Sequence, residues 1–115
     1  GEPLYVCKYH MARAHWQIIK HDEGGGAAQE GVVETFAVND APEHVVQLGV
    51  RAAKAIGDGL YGVDIKEVRG RPMVIEINDN PSIDHGFEDK ALGDELYRRI
   101  IGHFAKRLEA RRLAR

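Results

Sequence analysis

The chain has 115 residues, 30% of them charged, and a formal net charge of −2 at pH 7. This length supports one modest hydrophobic core, and the absence of a signal-peptide pattern and of any apolar run of about 18 residues predicts a soluble cytoplasmic protein with no membrane partner. The single cysteine, Cys7, excludes an internal disulfide and, without an activating pattern around it, predicts a small buried thiol. Because the sequence begins Gly-Glu-Pro without an initiator Met, we expect a fragment of a longer chain.

Three runs of β-forming residues occupy the first third of the chain. Leu4 to Met11, His15 to Lys20 and Gly31 to Val38 each predict a strand. Between the second and third runs stands Gly24-Gly25-Gly26. A glycine-rich turn can present backbone N–H groups to an anion, and it can equally be a flexible connector.

A helix is predicted after the third strand. Asp40 and Glu43, separated by Ala-Pro, have the spacing of a capping box, and Gly57-Asp58-Gly59 is a helix-ending sequence. The apolar positions between these signals are Val45, Val46, Leu48, Ala52, Ala53 and Ile56.

A β-hairpin is predicted over residues 60 to 78. Leu60 to Val68 is rich in β-forming residues, Arg69-Gly70-Arg71 is a turn, and Pro72 opens a second strand. Alternation along both strands predicts one apolar face that packs into the core. That face consists of Tyr61, Val63, Ile65, Met73, Ile75 and Ile77.

The register of this hairpin decides what its other face carries. If Gly70 is the pivot of an odd-numbered turn, Asp64 lies directly opposite Glu76, and Asn78 lies opposite Gly62 on the same face. A two-residue turn would instead put Asp64 and Glu76 on opposite faces. We therefore expect the odd-numbered turn, because it gathers the polar side chains away from the core.

Two opposed carboxylates carry an energetic cost. At ~5 Å and an effective dielectric of ~20 they repel by about 3 kcal/mol. A divalent cation offsets this repulsion, and the carboxylates of Asp64 and Glu76 with the amide oxygen of Asn78 suit Mg²⁺ or Mn²⁺ rather than zinc. Alternatively, Lys66 neutralises the pair, or the face is simply solvated.

A second helix is predicted from about Ala91 to Leu113, with apolar residues at steps of four. Its second half is basic: residues 98–115 hold 7 basic and 1 acidic side chains. Such a helix can meet the phosphates of RNA, but basic residues also complement the macrodipole at a helix C-terminus. With Phe104 as the only aromatic residue in the stretch, we favour the macrodipole role and expect no nucleic-acid partner. Strands in hairpins with two packing helices predict an α+β fold with a largely antiparallel sheet.

The hairpin sequence resembles the metal-binding signature of the ATP-grasp ligases. Asp64 is followed by Glu76 within Ile-Glu-Ile-Asn-Asp-Asn-Pro, with Asn78 two positions later. This pattern is similar to the RimK-like branch, the ribosomal-protein glutamate ligases and their glutathione synthetase-like relatives. The resemblance is most specific from about Gly57 to Asp84 and weaker upstream. It implies that residues 1–115 are the C-terminal half of an ATP-grasp catalytic domain.

The resemblance also implies roles for individual residues. Asp64, Glu76 and Asn78 would hold one or two Mg²⁺ ions that bridge the phosphates of ATP, so Asn78 is expected to help bind ATP as well. Cations near the first strand contact phosphate or a carboxylate substrate in this family. Lys8 and Arg13 are therefore the candidate catalytic residues, and Lys8 is also a candidate for ATP binding. The six histidines show no metal-binding spacing and are expected to be surface or packing residues.

The implied activity is ATP-dependent ligation of a carboxylate to an amine. ATP phosphorylates the carboxylate, and the amine then displaces phosphate to form an amide. No counterpart of the family's glycine-rich lid or adenine-binding lysines is visible, so we expect an isolated half-site that needs the upstream part of the domain. A basic residue often precedes the glycines in relatives, where this chain has Glu23, and Ser82 replaces a common Gly after Pro81. The substrates therefore stay open, as do phosphoryl transfer without amide formation and an RNA- or ribosome-binding module.

Overall fold

The computed structural model describes residues 1–10 and 33–115. These residues form four strands and two α-helices, in the order β1 (Val6–Tyr9), β2 (Val33–Phe36), α1 (Glu43–Ile56), β3 (Gly62–Val68), β4 (Arg71–Asn78) and α2 (Asp94–Leu113). Short 3₁₀ helices at Val38–Asp40 and Glu88–Lys90 precede α1 and α2. The predicted strand at residues 15–20, the loop at residues 24–26 and Arg13 lie outside the described residues.

The described strands form two separate antiparallel pairs, β1 with β2 and β3 with β4. The α+β class is confirmed. The sequence predicts one largely antiparallel sheet, whereas the described residues form two antiparallel sheets of two strands each. β1 and β2 are shorter than the predicted strands and pair from Val6 with Phe36 to Tyr9 with Val33. The first sheet is tied to the segment before α2, where the Thr35 hydroxyl donates to the Phe87 carbonyl at 2.7 Å.

The turn between β3 and β4 has two residues, so the predicted three-residue turn is wrong. Val68 pairs with Arg71, leaving Arg69 and Gly70 at the tip. Both tip residues have positive φ, 52° and 75°, as a type I′ hairpin turn requires because its twist matches that of the strands. A regular ladder from this turn would place Glu76 on the face opposite to Asp64.

A β-bulge reverses that consequence. Ile65 pairs with Val74, but Asp64, its neighbour in β3, pairs with Glu76, so Ile75 is the extra residue. One extra residue shifts the register by one position and turns every later side chain of β4 to the other face. The predicted opposition of Asp64 and Glu76 is therefore confirmed, through a turn and a bulge that compensate each other.

The bulge also corrects the predicted apolar face. Met73 pairs with Lys66 and lies on the polar face, whereas Val74 pairs with Ile65 on the apolar face. Ile75, the bulged residue, is 63% exposed. The prediction for Met73 and Ile75 is wrong because a sequence pattern with period 2 does not show where a ladder gains a residue.

Helix α1 covers the apolar face of the hairpin. A Cβ added at Gly49 would lie 3.5 Å from Ile65 Cδ1, and His44 Nε2 lies 2.8 Å from Glu67 Oε2. The helix ends at Ile56 before Gly57-Asp58-Gly59, as predicted.

The predicted capping box of α1 is not formed. Pro42 is the N-cap residue of α1 and no side chain caps the helix. Asp40 instead belongs to the 3₁₀ helix Val38–Asp40. The intervening proline fixes the entry into α1, since its ring presets φ close to the helical value.

Helix α2 begins at Asp94, three residues after the predicted start, and only its first turns reach the interior. Leu96 is the one fully buried hydrophobic side chain among the described residues, whereas Ile101 and Leu108 are 68% and 67% exposed. Arg111 and Arg112 lie in the last turn, where they complement the helix dipole. In the described part of the chain, neither helix is long and apolar enough to cross a membrane.

Candidate functional site

The polar face of the hairpin carries the three predicted metal ligands. Asp64 lies directly opposite Glu76, and Gly62 lies opposite Asn78. Opposed residues share a face, as do residues two apart in one strand, so all three oxygen-bearing side chains are on the face turned away from α1. All three are exposed. An ion or a phosphate group can therefore reach them from solvent.

The two carboxylates have no basic partner among the described residues. Lys66 lies on the same face, two residues from Asp64, yet no ion pair within 4.0 Å joins it to Asp64 or Glu76. Opposed like charges destabilise a sheet, although water reduces the repulsion of exposed charges to about 1 kcal/mol at this separation. Neutralisation by Lys66, one of the alternatives that the sequence left open, is not what the described residues show.

Asn78 is held by a turn that begins at its own side chain. The Asn80 N–H donates to Asn78 Oδ1 at 2.8 Å, the geometry of an Asx turn. A carboxamide oxygen has two lone pairs, so this bond orients the Asn78 side chain and leaves one lone pair for a cation. Two carboxylates and this oxygen are the hard ligands that Mg²⁺ or Mn²⁺ prefers.

The described residues do not complete a metal site from acidic, histidine and cysteine side chains alone. Residues 1–10 and 33–115 contain no cluster of three or more such side chains placed to hold a metal ion. A cation between Asp64 and Glu76 would thus need Asn78 and oxygen atoms from outside this set, such as water or phosphate. Mg²⁺ commonly has this mixed coordination, because it keeps several waters and binds few protein ligands.

The segment after β4 turns back over the same face. A Cβ added at Gly62 would lie 3.0 Å from Pro81 Cβ, closer than packed carbon atoms at their optimal separation of about 3.5–4.0 Å. Because Gly62 shares its face with Asp64, Pro81 and the residues that follow it border the polar face. Glycine at position 62 permits this approach.

Tyr9 lies near the acidic side chains of this region. Burial raises the pKa of the Tyr9 hydroxyl most, and the charges of Cys7, Glu88, Asp64 and Asp84 add to the rise. The Tyr9 hydroxyl is therefore within the electrostatic influence of both the hairpin and the segment that follows β4.

Lys8, the predicted catalytic and ATP-binding cation, lies on the other face of β1 from Tyr9. It pairs with Glu34 across the sheet. The hydrogen bond with His10 lowers the pKa of Glu34, and the Lys8 charge adds to this effect. The structure thus groups Lys8 with Glu34 and His10, whereas Asp64, Glu76 and Asn78 share another surface.

The segment after β4 contains a buried carboxylate that the sequence patterns do not predict. Asp89 is 5% exposed and accepts three hydrogen bonds: from the Gly86 N–H at 2.7 Å, the Tyr97 hydroxyl at 3.0 Å and His85 Nδ1 at 2.7 Å. The bond from His85 is the main cause that lowers the pKa of Asp89, followed by the bond from Gly86. The spacing of His85 and Asp89, four residues apart beside a glycine, was the available signal.

Glu88 also holds this segment in place. It is 9% exposed, and its Oε2 accepts a hydrogen bond from the Asp84 N–H at 2.7 Å. Residues 84 to 89 are therefore held by two adjacent buried carboxylates that bind backbone N–H groups. Such bonds to ionised groups are among the stronger ones in proteins, so this segment has a defined position.

The Cys7 thiol is half-buried and lies 3.6 Å from the Thr35 hydroxyl. Burial raises its pKa, and the hydrogen bond with Thr35 opposes this effect. A raised pKa disfavours the nucleophilic thiolate. The thiol is half-buried rather than buried as the sequence predicts.

Part of the chain is similar to part of several curated ligases. Over 61 residues, 52% of this chain, it is 46% identical to a protein from Stenotrophomonas maltophilia (strain R551-3) named "Probable alpha-L-glutamate ligase". A protein of the same name from Xanthomonas axonopodis pv. citri (strain 306) is 38% identical over 50 residues, 44% of this chain. The similarity spans 20% and 17% of the length of these relatives. The region of similarity is therefore about one fifth of the length of each relative.

No protein-family model matches the chain. No solved structure matches it either.

Proposed function

We propose that this chain supplies the metal- and phosphate-binding part of an ATP-dependent carboxylate–amine ligase, as the C-terminal half of an ATP-grasp catalytic domain. The observation that carries the proposal is the direct opposition of the Asp64 and Glu76 carboxylates on an exposed face. The similarity to proteins named as glutamate ligases supports it.

Asp64, Glu76 and Asn78 are the proposed ligands of Mg²⁺ or Mn²⁺. A divalent cation bound there supplies positive charge to the phosphates of ATP and to the charge that develops on the transferred phosphoryl group. The protein contributes orientation: the two strands set the distance between the carboxylates, and the Asx turn fixes the amide of Asn78. Phosphate and water oxygens would complete the coordination, so the site would not need a third carboxylate.

Lys8 and Arg13 remain the proposed cations for phosphate or for the carboxylate substrate. Lys8 has an exposed side chain beside Glu34, so in this proposal it acts on a substrate that reaches across β1. Replacing Lys8 by Ala in the complete protein is then expected to raise KM for the carboxylate or for ATP. A stability change without a change in KM would assign Lys8 to the cross-strand pair with Glu34.

The test of the proposed function is ADP release by the complete protein that contains this chain. The assay contains ATP, Mg²⁺ and a carboxylate substrate. A glutamate dipeptide is the first carboxylate to test, because the relatives are named as glutamate ligases. Either L-glutamate or hydroxylamine is added as the nucleophile. A ligase releases ADP in proportion to amide or hydroxamate. ADP release without any nucleophile, and without a trapped product, would indicate phosphoryl transfer alone.

A matched pair of variants separates the proposed site from the rest of the hairpin. Glu76→Gln is expected to abolish ADP release, whereas Glu67→Gln, on the α1 side of the same hairpin, is expected to retain it. Equal activity of the two variants would contradict a metal role for the polar face. Addition of EDTA should stop the wild-type reaction, and Mn²⁺ should restore it.

A further inference from the structure

We propose that His85 is the base that takes a proton from the attacking amine in the ligation step, and that Asp89 is the residue that positions its imidazole. The inference rests on the proposed ligase function. It adds an acid–base group from the segment after β4 to the metal ligands of the hairpin.

Asp89 orients the imidazole of His85. An ionised carboxylate only accepts hydrogen bonds, so the short contact between Asp89 Oδ2 and His85 Nδ1, 2.7 Å, requires the proton on Nδ1. The other ring nitrogen, Nε2, then carries a free lone pair in the neutral ring. The His85 side chain is 95% exposed, whereas the side chain of Asp89 is buried. A buried carboxylate thus holds one nitrogen, and the basic nitrogen faces outward, the arrangement by which carboxylates orient catalytic imidazoles.

The other histidines in residues 1–10 and 33–115 are placed differently. His10 and His44 use Nε2 to contact the exposed carboxylates of Glu34 and Glu67, so their outer nitrogen is already engaged. His103 packs edge-on against Phe104 with ring centroids 5.4 Å apart. In this part of the chain, His85 alone combines a buried carboxylate on Nδ1 with an exposed Nε2.

His85 follows the part of the chain that packs on the hairpin. Pro81 packs over Gly62 on the polar face, so the chain borders the proposed metal ligands only four residues before His85. The segment that carries His85 therefore begins at the face that holds the proposed metal ligands.

The reaction creates the need for a base. A primary amine is mostly protonated at neutral pH, and an ammonium ion has no lone pair for attack. In the proposed step Nε2 of His85 takes one proton from the ammonium group, and the freed lone pair forms a bond to the carbonyl carbon of the acyl phosphate. The carbon–oxygen bond to phosphate then breaks, and inorganic phosphate leaves with the electron pair and takes up the second proton that the nitrogen loses as the amide forms. The imidazolium returns its proton to solvent.

The charged and titratable groups around His85 belong to two elements. Asp89, Glu88 and Asp84 lie in its own segment, and Tyr97, which donates to Asp89, lies on α2. Tyr97 helps to hold the carboxylate in place. Burial raises the pKa of the Tyr97 hydroxyl, and its bond to Asp89 raises it further, so the hydroxyl remains a donor at neutral pH.

The test uses two nucleophiles that differ in their need for a base. Hydroxylamine is largely unprotonated at neutral pH, whereas the amino group of L-glutamate is largely protonated. The complete protein, with ATP, Mg²⁺ and the glutamate dipeptide as carboxylate, is assayed with each. His85→Gln is expected to raise the ratio of the hydroxylamine rate to the glutamate rate by about 10²- to 10⁴-fold, the usual range for general-base catalysis. His103→Gln is the matched control and should leave the ratio unchanged.

Asp89→Asn tests the positioning role. It should change the same ratio in the same direction by a smaller factor, and it should shift the acidic limb of the pH dependence of the glutamate reaction towards lower pH, because the imidazolium loses the carboxylate that stabilises it. An unchanged ratio in His85→Gln, including an equal loss with both nucleophiles, would overturn the assignment while leaving the proposed function intact. A wild-type protein that releases no ADP with either nucleophile would instead overturn the proposed function, and this inference with it.

Discussion

Asp64 and Glu76 place two like charges opposite each other on an exposed face. Such a pair does not stabilise the fold, since opposed like charges are unfavourable. Asp89 is the contrasting carboxylate, because it is buried and satisfied by three donors. At the scale of single residues, the chain therefore holds carboxylates of two kinds, and they predict opposite effects of neutralisation.

Neutralising the exposed pair is expected to separate stability from activity. Asp64→Asn or Glu76→Gln removes the repulsion, so the free energy of unfolding without metal should stay unchanged or rise by up to about 1 kcal/mol. In the complete protein the same changes should lower ADP release by several orders of magnitude, because the cation would be lost. Thermal melts in EDTA and ADP-release assays measure the two effects. Unfolding of Asp64→Asn, or near-normal activity of Glu76→Gln, would show that these carboxylates are structural.

Neutralising Asp89 should destabilise the protein in a pH-dependent way. Its pKa in the folded state lies below the ordinary value of 3.8, chiefly through the bond from His85. The unfolded chain thus binds the proton more tightly than the folded one, so the ionised carboxylate stabilises the fold above about pH 4 and loses this effect as pH falls through the lowered pKa. The difference in unfolding free energy between wild type and Asp89→Asn should therefore shrink below pH 4 in urea titrations. A difference that is constant from pH 7 to pH 3 would contradict this.

At the scale of elements, the hairpin depends on two compensating irregularities. The type I′ turn at Arg69 and Gly70 sets one register, and the bulge at Ile75 changes it by one residue. Neither feature alone brings Glu76 opposite Asp64. Bulges often occur next to functional sites, where they redirect a side chain, and here the redirected side chains are those of the proposed metal ligands.

Deletion of Ile75 tests the role of the bulge in the hairpin. Without that residue the ladder becomes regular. Glu76 then follows Val74 directly and remains opposite Asp64. Since Ile75 is 63% exposed, the deletion should cost about 1 kcal/mol or less of unfolding free energy and should retain ligase activity in the complete protein.

The matched control is deletion of Ile77, which lies between Glu76 and Asn78. It should turn Asn78 to the α1 face and remove a half-buried side chain. Activity should then be lost and the melting temperature lowered. Equal tolerance of both deletions would show that the register around the bulge does not matter for the site.

At the scale of the whole molecule, residues 1–10 and 33–115 bury few hydrophobic side chains completely. Leu96 alone is fully buried among the described residues, and Leu108 and Leu113 of α2 are 67% and 77% exposed. The apolar stripe that the sequence predicts along α2 is therefore buried at its start and open at its end.

The isolated 115-residue chain is accordingly expected to be marginally stable and inactive. Its free energy of unfolding should lie at or below about 5 kcal/mol, the low end for natural domains, as measured in urea. It should show no ligase turnover, because the similarity reaches only 20% of the length of the relatives. ATP affinity should be weak at best. Micromolar ATP binding by these residues in calorimetry would contradict the half-site interpretation.

The sequence by itself determined the elements whose signals are local. Alternation in residues 60 to 78 indicated the hairpin, and Gly57-Asp58-Gly59 marked the end of α1. These features depend on neighbouring residues and on backbone preferences that a short stretch of sequence expresses.

Only the tertiary structure decided the features that need contacts distant in sequence. The turn at Arg69 and Gly70 and the bulge at Ile75 are two choices whose effects cancel, so the sequence led to the right pairing through the wrong turn. Which face of β1 carries Lys8 follows from its pairing with residues 33–36. The role of Asp89 depends on burial beneath Tyr97 of α2. Local patterns state which groups a strand or helix presents, but burial, register and the partner across a sheet arise only when the elements pack together.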